Sequence, residues 1–153
     1  MEQGLVPLML LANGIASGVM VSTVIGLAPM SLAVPYETYV RTIQFLWKRY
    51  DPLMPILNAL ACVLALLLAF TATETVARLL FGAGGVLLLV VMAISVVKNV
   101  PINRYVMSLD PGARPADWTA VDPRVRWRNW NLVRTSLALV ALGANLTGAG
   151  TLL

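Results

Sequence analysis

Four long stretches without a charged side chain dominate this sequence: residues 3–36, 52–73, 79–97 and 135–153. A helix needs about 20 apolar residues to cross a hydrocarbon core about 30 Å thick, so each stretch is long enough to span a bilayer. Lipid offers no partner to backbone N–H and C=O groups, and a segment that spans alone must satisfy them as a helix. The expected fold is all-α: an integral membrane four-helix bundle, with spans near residues 5–34, 53–73, 79–98 and 132–153 in a single transmembrane domain over residues 1–153. Composition agrees, since 59% of the residues are hydrophobic and 12% charged, against roughly 25% charged in soluble domains. The first apolar run follows Glu2 rather than a basic segment, so it reads as a retained span and not as a signal peptide.

The net charge of +4 calls for a reading of where the cations lie. Arg41, Lys48 and Arg49 fall between spans one and two, and Lys98, Arg104, Arg114, Arg124, Arg126, Arg128 and Arg134 between three and four, while Arg78 stands alone on the other side. Loops rich in Lys and Arg stay in the cytoplasm. Both basic loops are therefore expected inside and both termini outside, in the inner membrane of a bacterium. The cations are topology signals beside anionic lipid, and no nucleic-acid partner is expected.

Chemistry is narrowed by what the chain lacks. It has no histidine and one cysteine, Cys62, which removes the commonest metal ligand and base and any intrachain disulfide. No metal site is expected. The spans also carry no ionisable residue in their uncharged stretches, which disfavours a proton relay or an ion pump.

Small residues at four-residue spacing, Gly14, Gly18, Ser22 and Gly26 in span one and Ser136, Val140, Ala144 and Gly148 in span four, predict close helix packing. Packing within the chain is the first expectation, and a homo-oligomer through these glycine-rich faces the second. Asn13, Asn58 and Asn145 are expected to hydrogen-bond between helices. Gly82, Gly84 and Gly85 predict a further close contact on span three.

Two connecting segments carry patterns of their own. Residues 36–50 put Tyr36, Tyr39, Val40, Ile43, Leu46, Trp47 and Tyr50 on one face of an amphipathic helix in the first cytoplasmic loop, with Glu37, Arg41, Gln44 and Lys48 opposite. Such a helix can lie in the membrane interface, the placement its aromatic face favours, or cover a pocket at the mouth of the bundle. The long cytoplasmic loop between helices three and four, residues 98–134, exceeds a simple connection. Within it Asp122 before Pro123 predicts a helix start, and beyond that Trp127, Trp130, Asn131 and Arg134 share a face. Asn99 and Asn103 stand four residues apart around Pro101 and could meet Arg134. Interfacial tryptophans, a snorkelling arginine and capping asparagines would explain these residues equally. The other reading is a polar niche in an apolar bundle, suited to a flat aromatic substrate whose oxygen becomes anionic.

Asn99-Val-Pro101-Ile-Asn103, then Asp117-Trp118, then Trp127-x-x-x-Asn131-x-x-Arg134, resembles the pattern of the anthrone oxygenase-like membrane proteins. The tryptophan-bearing segment before Met54-Pro55 and the long third connection agree with it. The resemblance implies an oxygenase acting on an aromatic, polyketide-type phenolic ketone, with dioxygen as co-substrate and no cofactor. It implies catalytic roles for Arg134 as oxyanion stabiliser and for Asn131 and Asn103 as orienting amides. Asn99, Trp118, Trp127 and Trp130 complete the expected substrate-binding set. Glu37, Asp117, Asp122, a tyrosine or water remain open as the base. The alternative is a noncatalytic membrane subunit that binds a partner enzyme or redox complex, and a carrier of hydrophobic molecules is a third reading.

Overall fold

The computed structural model describes residues 2–152, and all its regular structure is helical. Four helices are long and apolar enough to cross a membrane: Gly4–Ala33, Tyr36–Thr71, Thr75–Ser108 and Trp118–Gly150. They hold 30, 36, 34 and 33 residues, about 45–54 Å each at 1.5 Å per residue. Each thus exceeds a hydrocarbon core of about 30 Å. Antiparallel succession puts the termini and the turn at residues 72–74 at one end of the bundle, here the terminal end. Residues 34–35 and 109–117 lie at the other, the connection end. The Glu2 carboxylate accepts the Thr73 backbone N–H at 2.6 Å and ties the first helix to the turn at the terminal end.

The third helix corrects the expected loop. It runs on past Lys98 and Pro101 to Ser108, so the irregular connection shrinks to residues 109–117. A proline inside a helix removes one hydrogen bond and crowds the preceding turn. Here a π-helical turn, Ser95–Asn99, comes immediately before, closed by the Val100 N–H on the Ser95 carbonyl. The first helix repeats the device: a π-turn at Thr23–Leu27 precedes Pro29, with the Ala28 N–H on the Thr23 carbonyl. Widened turns let both helices continue through their prolines. The fourth begins where expected, as the Asp122 carboxylate accepts the Arg124 backbone N–H at 3.0 Å.

The small-residue ridge of the first helix faces away from the bundle. Gly18, Ser22 and Gly26 are exposed, and a Cβ added at Gly14, Gly18 or Gly26 would meet nothing within 4 Å. Met9, Ala12, Asn13, Ala16, Ser17 and Met20 form the buried face instead. Alanine at 12 and 16 already permits close approach there, with the methionines filling the space on either side. On the fourth helix Ser136 and Val140 also point outward, and of that stripe Gly148 is buried, against Phe81 and Leu80. The close contact expected on the third helix is present: a Cβ on Gly85 would stand 2.6 Å from Leu66 Cδ2, and one on Gly84 would collide with the Asn145 amide.

Asn13, Asn58 and Asn145 make no hydrogen bond between helices among the described residues. Asn13 accepts from Ser17 on its own helix at 3.2 Å, and Asn58 donates to the Met54 carbonyl at 2.9 Å. Asn145, fully buried, has no hydrogen-bond partner among the described residues.

Residues 36–50 form no separate loop helix. They are the first four turns of the 36-residue second helix, which continues through Pro52 and Pro55. Tyr36, Tyr39, Val40 and Ile43 are buried in a cluster with Ile102, Val106, Trp118 and Trp127. The Tyr36 hydroxyl donates to the Asp110 carbonyl at 2.9 Å, and Gln44 Nε2 donates to the Leu109 carbonyl at 2.8 Å. The extended third helix supplies the apolar surface that lipid was expected to supply.

Candidate functional site

Below this aromatic cluster the four helices enclose a cavity of about 320 Å³, within the roughly 300–1,000 Å³ range of small-molecule sites. The first helix contributes Met20, Thr23 and Leu27, the second Ile43, Trp47, Tyr50, Asp51, Met54 and Asn58, the third Met92, Ser95, Asn99 and Asn103, and the fourth Trp127 and Arg134. Both π-turns therefore face it, as such turns often do at functional sites. Tyr50, Asp51, Pro55, Ala59 and Val96 line the cavity and are also exposed on the outside. The opening thus lies on the flank of the bundle, between the second and third helices.

One hydrogen-bonded chain organises the polar wall. Arg134 Nε and Nη2 donate to Asn131 Oδ1 at 2.9 and 2.6 Å, and Nη1 donates to Ser95 Oγ at 3.0 Å. Asn131 Nδ2 donates to the Trp127 carbonyl at 3.0 Å, and Trp127 Nε1 to Asn103 Oδ1 at 2.9 Å. Spacings of three and four residues on the fourth helix stack Trp127, Asn131 and Arg134 on one face, and the lengthened third helix brings Ser95 and Asn103 opposite them. The guanidinium is held by neutral groups alone. The ion pairs among the described residues are Arg41–Glu37 and Arg124–Asp122, so Arg134 has no carboxylate partner there. A cation in an apolar surrounding without a counter-ion favours any anion that can reach it.

The expected site residues separate into three groups. Arg134, Asn103, Asn99 and Trp127 line the cavity, and Asn131 lies behind Arg134 and orients it. Trp130 faces the outside, in an open groove with Tyr105 and Val133 and with the Lys98 ammonium 5.2 Å from its ring. Trp118 is buried against Tyr36, with ring centroids 4.7 Å apart, where it braces the connection end. Three residues of helix set Trp130 about 60° round the axis from Trp127, off the cavity wall, and Trp118 lies in a separate short helical turn, Trp118–Val121, ahead of Arg124–Gly150.

None of the acidic residues considered as the base borders the cavity. Glu37 is exposed and paired with Arg41, Asp122 is engaged by Arg124 at 2.6 Å, and Asp117 is exposed at the connection end. Asp51 is the carboxylate that does line it. Sequence reasoning missed Asp51 and took Asn58 for a helix-bridging amide, although the apolar stripe Ile43-Trp47-Tyr50 continues at helical spacing to Met54 and Asn58. Ending the loop helix at residue 50 and starting the second span at residue 53 cut that stripe in two.

A family model described as anthrone oxygenase matches residues 43–144, two thirds of the chain. The chain belongs to the anthrone oxygenase family. No curated protein and no solved structure matches it. In this anthrone oxygenase family member the matched region contains every cavity residue of the second, third and fourth helices, and those of the first helix precede it.

Proposed function

We propose that this anthrone oxygenase family member is a membrane-embedded, cofactor-independent oxygenase that converts a polyketide-type phenolic ketone to a quinone. The observation that carries this reading is Arg134, unpaired by any carboxylate among the described residues, in the wall of an otherwise mostly apolar cavity. A flat aromatic ring suits the apolar walls and Trp127, and an enolate oxygen suits the guanidinium.

In this scheme Asp51 takes a proton from the activated ring CH₂, and the electron pair delocalises onto the ketone oxygen beside Arg134. Stabilising that oxyanion lowers the barrier to deprotonation. The carbanion passes one electron to dioxygen, and the two radicals combine in a C–O bond. The peroxide takes up a proton and then loses water as the second C–H proton leaves, giving C=O. One oxygen atom ends in the product and the other in water, so the electrons balance with substrate as the only reductant. Asn103 and Asn131 keep Trp127 and Arg134 in place. The connection end, which carries most of the cations, faces the cytoplasm in this reading.

The test is oxidation of anthrone by purified protein in detergent, followed by oxygen consumption and quinone absorbance against a no-protein control. Consumption of one dioxygen per quinone, unaffected by chelators and reduced in Arg134→Ala, is expected. Equal rates with and without protein would reject catalysis on that substrate, and chelator-sensitive turnover would reject the cofactor-free mechanism.

A further inference from the structure

The cavity wall holds two more amides that the Arg134 chain does not use. Asn99 is 1% exposed, and neither its Oδ1 nor its Nδ2 has a hydrogen-bond partner among the described residues. Asn58, on the second helix, is 8% exposed, and its Oδ1 is likewise unpartnered while its Nδ2 holds the Met54 carbonyl. Buried polar atoms in folded proteins nearly always have partners. Three such atoms on two residues of one cavity mark a place where something outside the chain completes the bonding.

We propose that Asn58 and Asn99 form a second polar subsite that binds a hydroxyl group of the ligand and makes the cavity selective for hydroxylated aromatic rings. The chemistry of the open atoms selects the group. Asn99 offers one acceptor and one donor, and Asn58 offers one acceptor. A hydroxyl both donates and accepts, so it matches Asn99 fully, and a second hydroxyl or a rotated one can reach Asn58. An ether or a ketone could use only the Asn99 amide N–H. A carboxylate would face two carbonyl oxygens. Asn99 sits on the last residue of the π-turn, one position where an α-helical register would have turned the side chain elsewhere. The extra residue in that turn thus aims this amide into the cavity.

The proposal rests on the cavity being an aromatic ligand site, but it does not require turnover. The probes are 2,6-dihydroxyanthraquinone, whose hydroxyls are free of the internal bond that a hydroxyl beside a carbonyl makes, and unsubstituted anthraquinone. Binding to purified protein in detergent is read by quenching of tryptophan fluorescence. Wild type should bind the dihydroxy probe the more tightly. Asn99→Leu and Asn58→Leu should each weaken it about 5- to 10-fold, the worth of one or so neutral hydrogen bonds, and leave anthraquinone within about 2-fold. Asn99→Ala and Asn58→Ala give the same comparison if a leucine variant fails to fold. Equal affinity of wild type for the two probes, or equal losses for both in the variants, would overturn the subsite and leave the oxygenase reading intact. Failure of wild type to bind either probe would overturn both together.

Discussion

The two halves of this bundle are closed by opposite means. Toward the terminal end, Ala61, Ala65, Ala77, Gly85 and Gly148 let helix backbones approach, with Leu68 and Phe81 filling the remaining space. Toward the connection end, Tyr36, Tyr39, Trp118 and Trp127 hold the helices apart, with Tyr36 donating to the Asp110 carbonyl, Trp127 to Asn103 Oδ1 and the neighbouring Gln44 to the Leu109 carbonyl. The cavity lies where the first regime gives way to the second, and both π-turns fall at that level. Small side chains produce a rigid base in lipid, where packing rather than the hydrophobic effect drives helix association. Large ones at the other end roof a void that the base alone would have eliminated.

The sharpest way to break this contrast is to remove chemistry from the loose half without touching the tight one. Asp51→Asn should lower anthrone oxidation about 100-fold or more, the usual worth of a positioned base, with Asp51→Glu recovering part of the rate and the melting temperature unchanged. An unaltered rate in Asp51→Asn would assign the proton to water or Tyr50. Next in size, Arg134→Ala should cost roughly 10- to 150-fold, corresponding to about 1.5–3 kcal/mol for a hydrogen bond to a charged group. Arg134→Lys should restore only part, because an ammonium cannot span Ser95 and Asn131 while also facing the ligand.

Stability should show the reverse pattern. Gly85→Ala sets a methyl 2.6 Å from Leu66 and should cost about 1–3 kcal/mol by overpacking, read as a lower melting temperature. Gly18→Leu, on the outward ridge, should leave melting nearly unchanged, and a large loss there would show that a second copy of the chain covers that face. The smallest effect belongs to the cavity. Asn99→Leu should raise the melting temperature by a few degrees, because replacing an unsatisfied buried amide by an apolar side chain of similar size removes a desolvation cost of about 1 kcal/mol. Stability gained with binding lost is what a site held open for a ligand should show.

Much of this was legible in the residues themselves. Uncharged length marks the four helices, and the i, i+4, i+7 spacing of Trp127, Asn131 and Arg134 places them on one face before any partner is known. The close contact of the third helix at Gly84 and Gly85 was legible too, but the packing face of the first was not. Glycines at four-residue spacing on the first helix satisfy the pattern for close contact, yet Ala12 and Ala16 satisfy it too, and only the surrounding Met9 and Met20 decide which face turns inward. Asp51 was hidden, and Asn58 read only as a helix-bridging amide, because the stripe was divided between a loop helix ending at residue 50 and a span starting at residue 53, whereas the second helix runs unbroken through Pro52 and Pro55. Asn99 was named from its spacing to Asn103 around Pro101, but Ser95 lies in a π-turn, whose single extra residue leaves no mark in a hydropathy pattern.

For the proposed oxygenase, the flank opening bordered by Tyr50, Asp51, Pro55, Ala59 and Val96 has a consequence for how activity would be counted. A ligand that reached Arg134 through this side window, between two membrane-length helices, would be drawn from the two-dimensional phase of the membrane, not from water. Its effective concentration is then a mole fraction among lipids. Adding empty vesicles or detergent micelles dilutes it at constant bulk concentration, so an apparent KM expressed per litre rises in proportion to the amphiphile present, while the same constant expressed per lipid stays fixed.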